Sequence, residues 1–395
     1  MEERGVDWGP SNGYEIQEYQ LSPSSWNRFE ECPRKYWLSR QGLPKKIGMP
    51  IVIGNAVHNS VEDICNIDMS DRDISEKEWL PKLSAEILSN HWQLQKDIFF
   101  EMKRHSGWKN NSYNKAREGL NKALLMLLSK AKILEIDLSK ITIGMWNKVR
   151  EIILANEGTM NSECGKLMGR LDLLLKDLDQ GGNQIGWIVV DLKTGRPPKD
   201  NLSETVNRQL RFYRDLLILI NPNHPPIRTE GWYTSNQTMY EAIGDSVTKD
   251  AFDAWASIEL TEDPFQATPQ EFVCGFCEWK AWCPKWFVAV HDETLKRHKT
   301  FNDEVVTLIN FDSEEGLASF KLMIPDGLDG ELRDSEKSFG AFLSNQSLNQ
   351  LRELQNMGYD GPLFLGSTRV DGEVRYLGDW SEILPWTPLL KSIRQ

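Results

Sequence analysis

The chain has 395 residues, 40% of them hydrophobic and 26% charged, which is typical of a soluble globular protein long enough for two domains. It has no apolar run of about 18 residues and no basic and apolar leader, so we expect a cytoplasmic protein with no membrane partner, and its six cysteines are too few for a disulfide scaffold. The net charge of -12 disfavours a nucleic-acid partner without excluding one, because residues 301–395 carry -8 of it.

The first predicted helix follows an N-terminal extension, residues 1–20. Residues 21–40 are predicted to form one helix, with Ser22 as its N-cap and Pro23 at its first helical position. A second helix is predicted after Gly54 and carries His58. From about residue 75 to 140 the chain has apolar residues at helical spacing, which predicts a helical subdomain.

The pattern changes at about residue 141, where strand-forming residues dominate. Residues 166–177 and 183–195 are rich in Leu, Ile and Val, and DQGGN between them predicts the turn of a β-hairpin. A helix at 203–220 and strands at 227–235 and 238–243 follow. This order predicts an α/β fold with a mixed central sheet flanked by helices.

The C-terminal part is predicted to be a separate small domain. A basic linker at 295–300 leads to residues 301–395, which contain short strand-like runs and one helix. We expect an acidic, β-rich domain here, with an OB-like barrel as one candidate fold. Its acidity argues against a primary DNA-binding surface.

Two carboxylates and a lysine are predicted to meet on the hairpin. Asp172 is placed in its first strand and Asp191 near the end of the second, two residues before Lys193, so Asp191 and Lys193 share a face while Leu192 points into the core. An isolated Asp-x-Lys is usually a surface ion pair, but Asp191 follows the apolar run WIVV, where a carboxylate needs partners. The set suits Mg²⁺, and His58 would shift the preference toward Mn²⁺.

Four cysteines form a second group, with one member far from the others in sequence. Cys32 stands 242 residues before Cys274, which is followed by Cys277 and Cys283. Four thiolates suit both zinc and a [4Fe-4S] cluster, and the residues alone leave the two open. Cys65 and Cys164 fit neither group and are interpreted as structural.

In this order, GNAVHNSVEDI, GRLDLLL, VVDLKTG and QLRFY resemble the motifs of the PD-(D/E)XK nuclease superfamily, in its RecB-like branch. The resemblance implies a restriction-endonuclease-like domain over residues 21–290. It also implies catalytic and metal-binding roles for His58, Asp172 and Asp191, a backbone carbonyl ligand at Leu192 and a catalytic lysine at Lys193. Gln209 and Tyr213 match the Q-x-x-x-Y pair, whose spacing puts both on one helix face.

The order of the cysteines resembles that of the iron-sulfur group of RecB-like nucleases, which includes AddB-type repair nucleases and CRISPR-adaptation nucleases. In that group one cysteine precedes the histidine motif and three follow the Q-x-x-x-Y helix. The resemblance therefore implies a [4Fe-4S] cluster that joins Cys32 to residues 274–283 as a clasp.

Two functions follow as hypotheses. The first is a metal-dependent deoxyribonuclease, an exonuclease on single strands or DNA ends, in DNA repair, recombination or CRISPR spacer processing. The sequence has no G-x-x-x-x-G-K-[ST] motif, so unwinding would come from a helicase or another repair or CRISPR partner. The alternative is a non-catalytic DNA-binding or scaffold protein with an iron-sulfur or zinc centre.

Overall fold

The computed structural model of the protein describes residues 6–9, 19–259, 266–296, 300–327, 329–372 and 374–391. Most of the predicted N-terminal extension and the centre of the basic linker lie outside these ranges. The described residues fall into two compact units: unit 1 lies within residues 1–27, 49–101 and 109–260, and unit 2 within 28–48, 102–108 and 261–395. This division groups the segments that carry Cys32, Cys274, Cys277 and Cys283 with the C-terminal residues.

The described residues contain eleven α-helices and fifteen β-strands. The helices are α1 (Pro23–Glu31), α2 (Pro33–Ser39), α3 (Met49–Asn66), α4 (Trp79–Glu101), α5 (Ser112–Lys130), α6 (Ile143–Ile152), α7 (Glu204–Ile220), α8 (Thr248–Glu259), α9 (Glu271–Gly275), α10 (Pro284–His291) and α11 (Asn345–Asn356). The strands are β1 (Lys46–Ile47), β2 (Arg104–His105), β3 (Ile153–Asn156), β4 (Thr159–Asn161), β5 (Met168–Arg170), β6 (Leu173–Leu178), β7 (Gln184–Lys193), β8 (Ile227–Tyr233), β9 (Thr238–Glu241), β10 (Phe301–Asp312), β11 (Leu317–Asp326), β12 (Glu331–Leu343), β13 (Leu363–Asp371), β14 (Val374–Leu377) and β15 (Glu382–Pro385). Short 3₁₀ helices cover Leu138–Lys140 and Lys280–Trp282.

The helix predicted over residues 21–40 is two helices, because the chain leaves the helical conformation at Cys32. Ser22 caps α1 as predicted, since its hydroxyl accepts a hydrogen bond from the Ser25 amide at 3.3 Å. Cys32 is extended, with φ -170° and ψ 118°. The ring of Pro33 disfavours the helical conformation in the residue before it, so the break falls one residue ahead of the proline. Cys32 is thus the N-cap of α2.

Unit 1 is built on a five-stranded mixed sheet with the strand order β3-β6-β7-β8-β9. The strands β7 and β8 are parallel, and the other neighbours are antiparallel. Helix α7 makes the crossover between β7 and β8 and contacts both strands. Residues of α3, α5 and α6 form one apolar core with Ile188, Val190 and Leu192 of β7. This mixed α/β arrangement is consistent with a restriction-endonuclease-like fold.

In unit 2, five strands close into a ring. The pairings run β10-β11-β12-β14-β13 and return to β10, with β15 added beside β13. The pair β12–β14 is parallel, and α11 lies between β12 and β13 in the chain. Val306, Phe320 and Leu365 from the strands pack with Leu351 of α11 in the core.

Several elements were not predicted from the sequence. Helix α3 begins at Met49, before the predicted start at residue 55, and α8, β12 and β15 were missed. Most residues of β12 are exposed, so it lacks the apolar alternation that identifies a half-buried strand. None of the described helices combines the length and apolar character that crossing a membrane requires.

Candidate active site

Asp172 lies in the bend just before β6, not inside the strand where the sequence pattern placed it. Leu173 pairs with Val190 in the antiparallel β6–β7 ladder, so Asp172 and Asp191 occupy the next opposite positions. The Asp172 carboxylate accepts a hydrogen bond from the Leu192 amide at 2.5 Å. The hairpin therefore brings the two acidic residues together, 19 positions apart in the chain.

Asp191 and Lys193 form an ion pair at the end of β7, with 2.5 Å between Lys193 Nζ and Asp191 Oδ2. Leu192 between them is buried in the apolar core on the opposite face, as strand alternation predicts. Burial raises the pKa of Asp191, Lys193 acts against this increase, and the charge of Asp172 adds to it. Burial would lower the pKa of Lys193, but the Asp191 carboxylate raises it above its usual value. Lys193 is therefore cationic at neutral pH.

Gln209 on α7 connects the ion pair to Tyr213. Its Nε2 donates to Asp191 Oδ1 at 3.0 Å and lies 3.1 Å from Tyr213 Oη, and its Oε1 accepts from Lys193 Nζ at 3.4 Å. Helix α7 begins at the N-cap Ser203, whose hydroxyl accepts from the Val206 amide. The four-residue spacing of Gln209 and Tyr213 places them one turn apart on the face of α7 that contacts β7.

His58 on α3 stands on the other side of Asp172, with 3.3 Å between His58 Nδ1 and Asp172 Oδ1. Burial lowers the pKa of His58, but the negative charges of Asp172, Asp191 and Glu157 outweigh burial and raise it to about 9. Among the described residues, His58, Glu157 and Asp172 form the one group whose possible metal-ligand atoms all lie within 4.8 Å of one another.

Glu157 was not identified from the sequence. It lies between β3 and β4 with a φ of 57°, in the left-handed region that glycine favours, and its amide donates to the Asp172 carbonyl oxygen at 2.9 Å. Burial and the charge of Asp172 raise its pKa, and Arg170 pairs with it at 2.6 Å. The available signal was a carboxylate directly after a buried strand, the same signal that marked Asp191.

These side chains fit a divalent cation. Two buried or half-buried carboxyl groups, Glu157 and Asp191, have raised pKa values partly because Asp172 is close, so their anionic forms repel one another. A cation among them would remove that repulsion, and oxygen ligands are what Mg²⁺ and Mn²⁺ take. Asp191 lies outside the compact group of three, and its carboxylate faces Lys193 and Gln209.

The four cysteines singled out from the sequence line one cavity in unit 2. Cys32 is buried, and Cys274, Cys277 and Cys283 are half-buried against an apolar cluster that includes Trp279, Trp282 and Trp286. Burial raises the pKa of Cys274 and raises that of Cys277 to about 12. Cys65 is buried elsewhere, in the core of unit 1, and Cys164 is exposed.

Comparison with known proteins places the chain in a family. Residues 20–284 match the family model of the PD-(D/E)XK nuclease superfamily. No curated protein matches the chain. A solved structure titled "Crystal structure of SSO0001" is 13% identical, with 64% of this chain and 92% of that chain covered and a TM-score of 0.27, which is too low to support an argument.

The family match spans more than half of the chain and includes every candidate ligand and motif residue of the active site. Proteins of this superfamily are generally nucleases that use divalent metals, and membership implies a DNA substrate. The match confirms the superfamily indicated by the sequence motifs. The chain belongs to the PD-(D/E)XK nuclease superfamily.

Proposed function

We propose that this protein is a divalent-metal-dependent deoxyribonuclease of the RecB-like branch that hydrolyses phosphodiester bonds as an exonuclease on single strands or DNA ends. One observation carries the proposal. A cluster of carboxylates at the β6–β7 hairpin stands beside a cationic lysine that a glutamine holds in place. A purely structural ion pair would need neither the third carboxylate nor the histidine.

His58, Glu157 and Asp172 would hold the cation, with Asp191 and the Leu192 carbonyl as further ligands. When bound, the ion would polarise the scissile phosphate and offset the charge that develops on it. The Leu192 amide fixes one oxygen of Asp172 and leaves the other toward His58. The Asp172 carboxylate is thus oriented by the backbone amide of Leu192, and that of Asp191 by Gln209 on α7, before substrate binds.

We assign to Lys193 the role of orienting the attacking water molecule. Its ammonium is fixed between Asp191 and Gln209, and its raised pKa keeps the charge in place. A fixed cation beside the phosphate can orient a water molecule and stabilise the transition state, which is more negative than the ground state at the reacting oxygens. From helix α7, Gln209 would hold the side chains of Lys193 and Asp191 in place through hydrogen bonds, and Tyr213 would hold Gln209.

Asp191→Ala and the isosteric Asp191→Asn test this proposal, with Asp200→Ala on the exposed loop after β7 as the matched control. End-labelled single-stranded, double-stranded and circular DNA are digested with Mn²⁺ or Mg²⁺, and DNA affinity is measured without metal. We expect both Asp191 variants to lose cleavage and keep DNA affinity. The Asp200→Ala control should keep both cleavage and DNA affinity. Unchanged cleavage in Asp191→Asn overturns the catalytic assignment, and cleavage of circular DNA overturns the exonuclease assignment.

We further propose that Cys32, Cys274, Cys277 and Cys283 hold a [4Fe-4S] cluster. In tetrahedral zinc sites a Zn–S bond of about 2.3 Å puts the sulfurs roughly 3.8 Å apart. Within the described chain no three of these four cysteines bring their sulfurs within 4.8 Å of one another. A cube of iron and sulfide separates its thiolates more widely, because the irons stand between them, so the spacing favours the cluster.

Anaerobic purification followed by iron, sulfide and zinc analysis tests the cofactor. We expect iron and sulfide in equal amounts in the unaltered protein, and their loss in Cys277→Ser. Cys164→Ser removes an exposed cysteine outside the cavity and should keep both. Stoichiometric zinc without sulfide would contradict the cluster while leaving the nuclease proposal intact.

Two features of the wider organisation remain proposals. The nuclease would act in DNA repair, recombination or CRISPR spacer processing in the cytoplasm, with a helicase or another partner supplying unwound strands. Residues 301–395 would form an OB-like barrel, which is supported by the closed ring of β10 to β14, its parallel β12–β14 pair and the helix between its third and fourth strands.

A further inference from the structure

Arg34 is a basic residue with an unusual location in unit 2. It is the second residue of α2, two positions after Cys32, and its side chain is completely buried, with 0% of the residue exposed. Arginine is rarely buried to this degree unless its charge and its donors are matched. The groups that surround its guanidinium therefore indicate what it does.

The guanidinium contacts two segments that are far apart in sequence: the one with Trp282 and Cys283, and the one with Leu389. Its Nε donates to Cys283 Sγ at 3.2 Å, and its Nη2 donates to the carbonyl oxygens of Trp282 at 3.0 Å and Leu389 at 2.9 Å. The Leu389 amide in turn donates to the Trp282 carbonyl oxygen at 3.1 Å. One planar side chain thus fixes the sulfur of Cys283 and the backbone just before it.

Two of the lysines that line the same cavity are paired with carboxylates. Lys35 pairs with Glu31 at 2.5 Å, and Lys280 pairs with Asp303 at 2.6 Å. The Nε of Arg34 donates to a cysteine sulfur. A sulfur that becomes a thiolate on binding a metal turns this contact into a charge-assisted hydrogen bond, which is shorter and stronger than a neutral one.

We propose that Arg34 is a positioning residue for the metal–thiolate centre, where it orients Cys283 and offsets the negative charge of the assembled site. The proposal rests on the cofactor proposed above. Both a [4Fe-4S] cluster and a zinc ion with four thiolates are net negative, so a buried cation stabilises either one. Hydrogen bonds to the sulfurs also set the reduction potential of a cluster, because they favour its more negative, reduced state.

Arg34→Met and Arg34→Lys test the proposal in the full-length protein purified without oxygen. Met removes the charge and all donors at a similar length, and Lys keeps the charge but cannot reach the sulfur and both carbonyls as a fork. Arg40→Met is the matched control, since Arg40 follows the same helix and donates to Tyr36 Oη at 2.7 Å. Iron and sulfide content, the rate of cluster loss to a chelator and the midpoint potential are measured.

We expect Arg34→Met to lose its cluster about 10- to 100-fold faster than the unaltered protein, the usual effect of removing a partner behind a metal ligand. Its midpoint potential should become more negative. The rate of cluster loss in Arg34→Lys should lie between those of Arg34→Met and the unaltered protein. Arg40→Met should match the unaltered protein. If Arg34→Met does not fold, Arg34→Lys decides the question, because it keeps the charge and much of the volume.

Loss rates and potentials equal to those of the unaltered protein in the soluble Arg34 variants overturn the proposal. If the unaltered protein contains zinc instead of iron, the cluster proposal fails on its own, and Arg34 is then tested by zinc release to a coloured chelator. Faster release from Arg34→Met supports the positioning role, and equal release overturns it.

Discussion

The backbone amide of Leu192 holds the carboxylate of Asp172 at 2.5 Å, and so joins the strand that carries one acidic side chain to the bend that carries the other. An amide in the middle of a sheet cannot turn away, unlike a side-chain donor. Asp172 therefore has one oxygen fixed and one directed to His58, and its orientation does not depend on metal.

Gln209→Ala should lower the rate constant of cleavage about 10- to 100-fold, the range seen when a partner of a catalytic or metal-binding group is removed. The variant loses the contacts that fix Asp191 and Lys193 together. Single-turnover cleavage at saturating Mn²⁺ measures it. Tyr213→Phe is the matched variant, because it removes only the 3.1 Å contact to Gln209 and should cost less than about tenfold. An equal loss in both would mean that Tyr213 itself takes part.

Glu157→Gln should weaken Mn²⁺ binding by about tenfold, which is about 1.4 kcal/mol. The amide keeps the size of the side chain but removes its charge from the group with His58 and Asp172. Isothermal titration calorimetry at pH 7.5 measures the affinity, and Glu151→Gln on the exposed side of α6 serves as control. Unchanged affinity would place Glu157 outside the metal site.

The metal-free protein should become less stable as His58 loses its proton. The neighbouring carboxylates raise its pKa from 6.5 to about 9, against the effect of burial. The contribution of protonated His58 to the free energy of unfolding is therefore complete below about pH 6.5 and disappears as the pH rises through about 9. Urea unfolding in EDTA from pH 6 to 10 should show a stability difference between the unaltered protein and His58→Gln that shrinks across this window.

Arg104→Met should reduce the free energy of unfolding of unit 2 by about 3–5 kcal/mol, the usual cost of breaking a buried ion pair by removing one partner. The side chains of Arg104 and Glu382 are only 2% and 8% exposed, and Arg104 also donates to the carbonyls of Pro44 and Glu278. Urea unfolding followed by tryptophan fluorescence measures the change. Arg369→Met, at an exposed position, should change stability by less than about 0.5 kcal/mol.

The same pair should have a characteristic acid dependence. Burial would raise the pKa of Glu382, but Arg104 and Lys46 lower it below its usual 4.5. The pair therefore contributes its stability above about pH 4.5 and loses it as the pH falls through the lower, folded-state value. Arg104→Met should flatten this part of the pH profile.

Local sequence patterns predicted the parts of the active site that lie on regular elements. Strand alternation correctly placed the side chain of Leu192 on the opposite face of β7 from those of Asp191 and Lys193. Helical spacing correctly placed Gln209 and Tyr213 on one face of α7. Asp172 was assigned to a strand but lies in the bend before it, since the pattern of alternation does not reveal where pairing begins. Glu157 was missed because a loop residue has no periodicity, and only folding brings it to Asp172.

The cysteine region illustrates a different limit. One continuous helix is predicted from the sequence over residues 21–40, although Pro33 was visible there as the residue that interrupts it. The interruption matters because it turns Cys32 into the first residue ahead of a new helix. Arg34 was equally visible, but its burial depends on contacts with residues about 250 and 355 positions later.

Glu157 adopts a φ of 57°, a conformation that costs a residue with a side chain about 1 kcal/mol and costs glycine almost nothing. The protein therefore accepts a local loss of stability at a residue of the proposed cation site. Under the proposed function, activity and thermal tolerance compete at this one residue. Replacing Glu157 with glycine should yield a protein that resists heat at least as well as Glu157→Gln, so selection for robustness alone would drive this position away from glutamate.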